Sequence, residues 1–259
     1  MIRSLATAAT GMTAQQTNLD VIAHNLANAN TTAFKRSRGN FEDLIYQTIT
    51  TPGAETGNNT RIPTGIQIGM GAKTVSVEKI FEQGNFTQTN NQLDLAIEGR
   101  GFFKVLRGST EVYTRAGSFK QDSEGFVVDA AGNRLQPEIS IPKKTVTINV
   151  DAAGTLSAVD ANGTVLGTSN IRLYDFPNPS GLVSAGHNYY VPSDASGDVT
   201  EAQPGTESLG TLLQGSLESS NISVVEEMVN MILTQRAYEA NSKIIKSSDE
   251  MLQMANNVK

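Results

Sequence analysis

Side chains able to carry reaction chemistry are scarce. Two histidines, His24 and His187, are the whole imidazole complement of 259 residues, and there is no cysteine. That excludes a thiolate nucleophile, a Cys-ligated metal and a disulfide framework, and leaves the redox compartment open. A Ser-His-Asp triad would have to use one of these histidines, and no G-x-S-x-G turn exists to present its serine. Asp20 lies four residues before His24, a helical contact that reads as a surface hydrogen bond and not as half of a metal site. His187 sits in a Gly- and Tyr-rich stretch with no second ligand at helical spacing. The carboxylate pairs Glu226/Glu227 and Asp249/Glu250 are adjacent, so a helix sends them to different azimuths, and they read as solvated faces. Gly69, Gly71 and Lys73 occur in GMGAKT, whereas a phosphate loop needs its lysine directly after the second glycine; IEGRGFF (97–103) lacks the third glycine of a dinucleotide fingerprint and reads as a turn into a strand. No catalytic residue, cofactor or metal is expected.

The remaining composition is polar but weakly charged. Lys and Arg number 20 against 26 Asp and Glu, a net charge of −6, and only 18% of residues are charged. An acidic balance without a basic stripe argues against nucleic acid. No apolar run approaches 18 residues, so no membrane insertion is expected, and no apolar stretch behind Arg3 reads as a cleaved signal peptide.

The elements that dominate the pattern are two long helices at the chain ends. Ile2, Leu5, Ala9, Met12, Gln16, Leu19, Ala23 and Leu26 recur at alternating spacings of three and four, a heptad seam broken once by a polar residue. Asn28, Asn30, Thr31 and Thr32 then compete for backbone hydrogen bonds and favour a helix stop. At the other end Val224, Met228, Met231, Gln235, Tyr238, Ser242, Ile245, Asp249 and Leu252 form one seam. Ala237, Ala240, Ile244, Ser247, Met251, Met254 and Val258 form a second beside it, so the apolar face is broad. Ser220 or Asn221 suits a cap, and Ser223 with Glu226 fits a capping box. Neither helix can stand alone in water, so the two pack on each other as an antiparallel hairpin, on other subunits, or both.

Between them the chain reads as β. Short runs at 102–106, 112–114, 126–129, 146–150, 155–159, 171–176 and 189–191 are bounded by Gly, Asp, Asn and Pro. Four boundaries share the form Asp-x-x-Gly: Asp122/Gly125, Asp129/Gly132, Asp151/Gly154 and Asp160/Gly163. Each reads as a tight reversal and not as a calcium loop, which would need several ligands at alternate positions. Residues 46–73, rich in Gly with Pro52 and Pro63, read as a flexible linker or a segment ordered by a partner. Residues 193–205 read as a surface loop.

The stretch QQTNLDVIAHNLANANTTAFKRSRGNFEDLIYQTI (15–49) resembles the N-terminal signature of the bacterial flagellar rod and hook family. VVEEMVNMILTQRAYEANSKIIKSSDEML (224–252) is similar to its C-terminal signature, and LDLAIEGRGFFKV (93–105) to its central motif. Two positions depart from the pattern: His24 stands where Asn is usual, and Ala33 precedes Phe34 where Gly is frequent. The resemblance implies an α+β chain whose terminal helices form a coiled-coil domain around a mainly β body. The implied divisions are 1–34 (N-terminal helix), 35–92 (an extended linker with a rod-specific insertion at 46–71), 93–215 (β body) and 216–259 (C-terminal helix). The insertion and the length favour a distal-rod subunit over a proximal rod or hook subunit.

The implied role is structural, with no enzymatic activity: a helical homopolymer, rigid and hollow, that transmits torque and encloses an export channel. Implied partners are further copies, adjacent rod and hook subunits, the surrounding basal-body rings and the flagellar export apparatus; the implied place is the basal body across the periplasm. Subunit packing falls to Leu5, Met12, Leu19, Ile22, Leu26, Val224, Met228, Met231, Tyr238, Ile244, Ile245, Met251 and Leu252. A rival of another class is a secreted β domain with a helical stalk and a ligand surface near His187, Tyr189 and Tyr190. A hydrolase dependent on His24 or His187 is a third.

Overall fold

The computed structural model describes residues 2–53, 63–206 and 209–257. The class is α+β, and the chain divides into two compact units: Met1–Ala27 with Ser37–Lys79 and Ser223–Lys259, and Asn28–Arg36 with Ile80–Ile222. The first unit holds α1 (Ile2–Ala27), β1 (Ser37–Asp43), β2 (Tyr46–Thr50), β3 (Ile66–Gly69) and β4 (Ala72–Lys79), and the second helix, α2 (Val224–Asn257). Just beyond α1 the Asn28 carbonyl and side chain both accept hydrogen bonds from Thr31, at 3.1 Å each, the competition expected of these residues. At the start of α2 the Ser223 carbonyl accepts the first helical bond from the Glu227 N–H at 3.0 Å, which makes Ser223 the cap residue. Asn221 does not cap: its side chain accepts from the Arg36 N–H and donates to the carbonyls of Ile80 and Glu82.

The region read as an extended linker is extended but not unpaired. β1 runs antiparallel to β4, and β2 to β3, with Gln47 opposite Ile68. Bonds from the Leu44 N–H to the Gly71 carbonyl and from the Met70 N–H to the Ile45 carbonyl join the two pairs into one long ribbon. Arg38–Glu78 and Lys73–Glu42 ion pairs, each 2.6 Å, bridge its strands. Glycine and proline content hid the strands, whose apolar residues alternate on an exposed two-stranded ribbon and need no core. Residues 54–62 of the insertion, Val258 and the side chain of Ile2 lie outside what is described.

The second unit is a set of short antiparallel ladders. In chain order its strands are β5 (Phe86–Gln88), β6 (Leu95–Glu98), β7 (Phe103–Arg107), β8 (Thr110–Thr114), β9 (Lys120–Gln121), β10 (Val127–Val128), β11 (Arg134–Gln136) and β12 (Thr147–Val150). They continue with β13 (Thr155–Val159), β14 (Val165–Asn170), β15 (Leu173–Asp175), β16 (Val183–Ser184), β17 (Tyr189–Val191), β18 (Thr200–Ala202), β19 (Thr211–Gln214) and β20 (Ser216–Glu218). The largest sheet has the order β16-β17-β8-β7-β11-β10-β9, and β12-β13-β14 form another. All four Asp-x-x-Gly segments are reversals: the glycine N–H bonds the aspartate carbonyl at 2.9, 3.1, 2.9 and 3.0 Å, and each glycine has positive φ. Residues 193–205 depart from a plain surface loop, because β18 pairs with β15 and Ser196 is buried.

Strand alternation puts apolar side chains on both faces of the largest sheet. Phe103, Val105, Val112 and Tyr189 enter the main core with Leu95, Ile97, Phe119 and Leu135. Their neighbours Phe102, Tyr113 and Tyr190 enter a separate aromatic cluster with Tyr174, Phe176 and Leu182. Tyr113 meets Phe176 edge to face at 4.9 Å, as Phe103 meets Phe119 at 5.2 Å. The adjacent Phe102 and Phe103 thus anchor two cores.

Candidate assembly interface

The groups read as candidates for chemistry do not converge. His24 and Asp20 are exposed on α1, His187 is exposed in a turn at φ 53°, and Lys73 is engaged with Glu42. Gly99 and Gly101 lie between β6 and β7, the turn into a strand expected of IEGRGFF. Among the described residues no group of three His, Asp or Glu side chains is placed to hold a metal ion. The tyrosines of the rival ligand surface point inward: Tyr190 lies in the aromatic cluster, and the buried Tyr189 hydroxyl donates to Asp129. Burial, aided by Asp129, pushes the Tyr189 hydroxyl up to about 12. Asp129 also accepts from the N–H groups of Ala131 and Asn133 and from the Asn133 side chain, so it is fully occupied in holding a turn.

The helix pair departs from the expected seam in one respect. On α2 the series Met231, Ile245 and Leu252 is half-buried as expected, with Tyr238 more open, but the companion row lies one residue away. Glu227, Thr234 and Ser248, not Met228, Gln235 and Asp249, turn inward, with Asn241 and Ser242 both half-buried; Thr234 is 5% exposed and Ser248 2%. On α1 the inward residues are Ala8, Ala14, Ile22 and Asn25, while Leu5, Met12, Leu19 and Leu26 are half-buried at the flank and Ala9, Gln16 and Ala23 are exposed. Glu227 is therefore not part of a solvated face. The inward polar groups meet partners: Asn18 Nδ2 donates to Thr234 Oγ1 at 3.0 Å, and the hydroxyls of Ser4 and Ser248 lie 3.3 Å apart. Asn241 packs where Gly11 has no side chain; a Cβ there would stand 2.9 Å from its Nδ2.

Over its first three turns the outward side of α2 is largely apolar. Val225 is 73% exposed and Leu233 62%, and Met228, Val229 and Ile232 lie between them on the surface. Val224, Ile244, Met251 and Met254 are exposed as well. On the ribbon, Ile45 is 83% exposed, and Tyr46, Ile49, Ile66, Ile68, Val75 and Val77 are each at least 40% exposed. Scattered single apolar residues would need no explanation; a run of them on one helix face and along a ribbon is the pattern that interaction surfaces have.

Sequence reading also missed a buried ion cluster. Glu218 accepts from Lys35 Nζ at 2.6 Å, from Arg115 Nε at 3.1 Å and from the Gly84 N–H at 2.9 Å. Lys35 donates in addition to the Glu82 carbonyl, and Arg115 to those of Gly99 and Gly101. Burial works against the Glu218 carboxylate, but the neighbouring Arg115 and Lys35 charges outweigh it and hold its pKa below the ordinary value. Burial and Arg115 together lower that of Lys35. The cluster fastens the segment leaving α1 to the segment leading into α2, and the Ala33 N–H adds a bond to the Glu218 carbonyl. Nothing in the sequence marks it: Lys35 stands in AFKRSR and Glu218 in the polar GSLESSN.

Comparison with known proteins agrees with this arrangement of ends and middle. The family model "Flagella basal body rod protein" matches residues 5–35, "Flagellar hook protein FlgE/F/G D1 domain" residues 96–158, and "Flagellar basal body rod FlgEFG protein C-terminal" residues 213–258. The chain is 46% identical to the flagellar basal-body rod protein FlgG of Borreliella burgdorferi, over 100% of this chain and 99% of that one. It is 48% identical to FlgG of Buchnera aphidicola subsp. Acyrthosiphon pisum, over 98% of each, and 39% identical to FlgG of Bacillus subtilis, over 100% of each. Similar from end to end to rod proteins of distant bacteria, the chain belongs to the flagellar basal-body rod family.

Proposed function

We propose that the chain is a non-enzymatic structural subunit of the flagellar distal rod, polymerising through its terminal helices into a straight hollow shaft across the periplasm. The supporting observation is the outward face of α2: Val225, Met228, Val229, Ile232 and Leu233 are open to water although each would gain about 1 kcal/mol or more from burial. A second copy offers such burial repeatedly, and contacts between different faces that do not close produce a helical filament. Leu5, Met12, Leu19 and Leu26 at the flank of α1, with Ile22 behind them, and Val224, Met231, Tyr238, Ile244, Ile245, Met251 and Leu252 on α2 complete the packing set. The ribbon of β1 to β4 adds contacts that stiffen the shaft. Neighbouring rod and hook subunits meet its ends, the basal-body rings surround it, and the flagellar export apparatus delivers it. No helix of the described residues is long and apolar enough to cross a membrane.

Electron microscopy of concentrated protein tests this reading. Straight hollow tubes are expected from the unchanged chain and none from Val229→Asp with Ile232→Asp, whose monomer keeps its helical circular dichroism. Normal tubes from the double variant, or no tubes from the unchanged chain, would overturn it.

A further inference from the structure

On α2 the buried residues, Glu227, Thr234 and Ser248, are polar while apolar residues stand outside, the reverse of an ordinary amphipathic helix. On α1, Ser4, Gly11, Asn18 and Asn25 fall one heptad apart beside the buried Ala8, Ala14 and Ile22, and the first three meet Ser248, Asn241 and Thr234, which with Glu227 are also one heptad apart. The first three layers are matched by shape or hydrogen bond: hydroxyl to hydroxyl, side chain into the gap at glycine, and amide to hydroxyl. In the fourth, Asn25 and Glu227 are both buried, and Asn25 exchanges two 2.8 Å bonds with the backbone of Ser37. We infer that this polar ladder is a face selector: it sets which side of α2 turns toward α1 within the chain and thereby keeps the apolar side available to another molecule.

The physical argument is a competition between two rotations of α2. Turning Ile232 and Leu233 inward would bury more apolar area, which alone favours that arrangement. It would also set Asn18 against aliphatic side chains, and an amide buried without a partner costs about 1–3 kcal/mol. Thr234 supplies the hydroxyl that Asn18 needs, and the Asn241 side chain lies in the space left by the missing Cβ of Gly11. Polar residues at core positions of helix pairs specify arrangement at a cost in stability. Here the specified arrangement leaves a sticky surface outside. That the outer face then receives a second copy rests on the proposed function; the selection itself is a property of the monomer.

The absence of cysteine allows a direct test by thiol labelling in dilute monomer, where polymerisation plays no part. Ser248→Cys reports the inner face and Leu233→Cys the outer, each in a separate protein. In the unchanged ladder the thiol at 248 should label at least about tenfold more slowly than that at 233. With Ser4→Leu, Gly11→Leu and Asn18→Leu together, α1 offers an apolar row and the order should reverse, the thiol at 233 becoming the protected one. Asn18→Leu alone should speed labelling at 248, and Asn18→Thr combined with Thr234→Asn should restore protection. Helical circular dichroism separates rotation from unfolding, and if the triple variant unfolds, the single and exchanged variants decide. Protection at 248 undiminished in Asn18→Leu, or a thiol at 233 already protected in the unchanged ladder, would overturn the selector whether or not the chain forms tubes.

Discussion

Glu218 is the shared acceptor of the buried ion cluster in the second unit. Replacing it with Gln leaves Lys35 and Arg115 buried without a counter-charge, and removing one partner of a buried ion cluster costs about 3–5 kcal/mol. Denaturant unfolding followed by tyrosine fluorescence should show that loss for Glu218→Gln. The acid side of the stability profile gives an independent check. Because the folded pKa lies below the unfolded one, the stabilisation is complete above the ordinary carboxylate range and is lost as pH falls through the folded value. Glu218→Gln should therefore have a shallower acid limb than the unchanged protein. Ala33 is a second residue with a measurable cost. Its φ of 56° is left-handed, and it is fixed there by its N–H bond to the Glu218 carbonyl. Ala33→Gly should raise stability by about 0.5–1 kcal/mol, since glycine adopts this conformation without strain.

At the level of elements, the turns can be ranked. Gly163 has φ 78° and open space where a Cβ would stand, whereas Gly154, at φ 85°, has the Ile171 carbonyl oxygen 2.6 Å from that point. Gly163→Ala should cost about 1 kcal/mol from backbone strain alone, and Gly154→Ala distinctly more, compared by thermal unfolding. Equal losses would mean that the Ile171 contact relaxes freely. These turns were legible from the chain because Asp and Gly act within four residues, needing nothing from the rest of the fold. The helices were legible for the same reason, and so was the strand at 155–159, found with the expected bounds. The facing row on α2 was not, because periodicity ranks positions by apolarity and cannot see that Asn18 lies opposite Thr234. β14, with the sequence VLGTSN, was passed over because it is polar and pairs on one side only with β13. The ion cluster was invisible because its members lie far apart in sequence and meet only in the finished unit.

For the whole molecule, the stiffening role proposed for the ribbon of β1 to β4 can be tested directly. If Ile49, Ile66 and Ile68 bridge copies in a tube, Ile49→Thr with Ile66→Thr should leave the monomer's stability within about 0.5 kcal/mol, because these side chains are already exposed. Tubes of that variant should bend more, with a shorter persistence length measured from electron micrographs; an unchanged length would remove the ribbon from the stiffening role. The Lys35–Glu218 pair has a further consequence, one of timing. Its members are 183 residues apart, and β5 likewise waits for β20 and β6 for β19. A chain that emerges end first, from a ribosome or from a narrow conduit, holds Lys35 outside long before Glu218 arrives. The second unit cannot close until nearly the last strand has cleared the exit, so its folding is deferred to the moment of release.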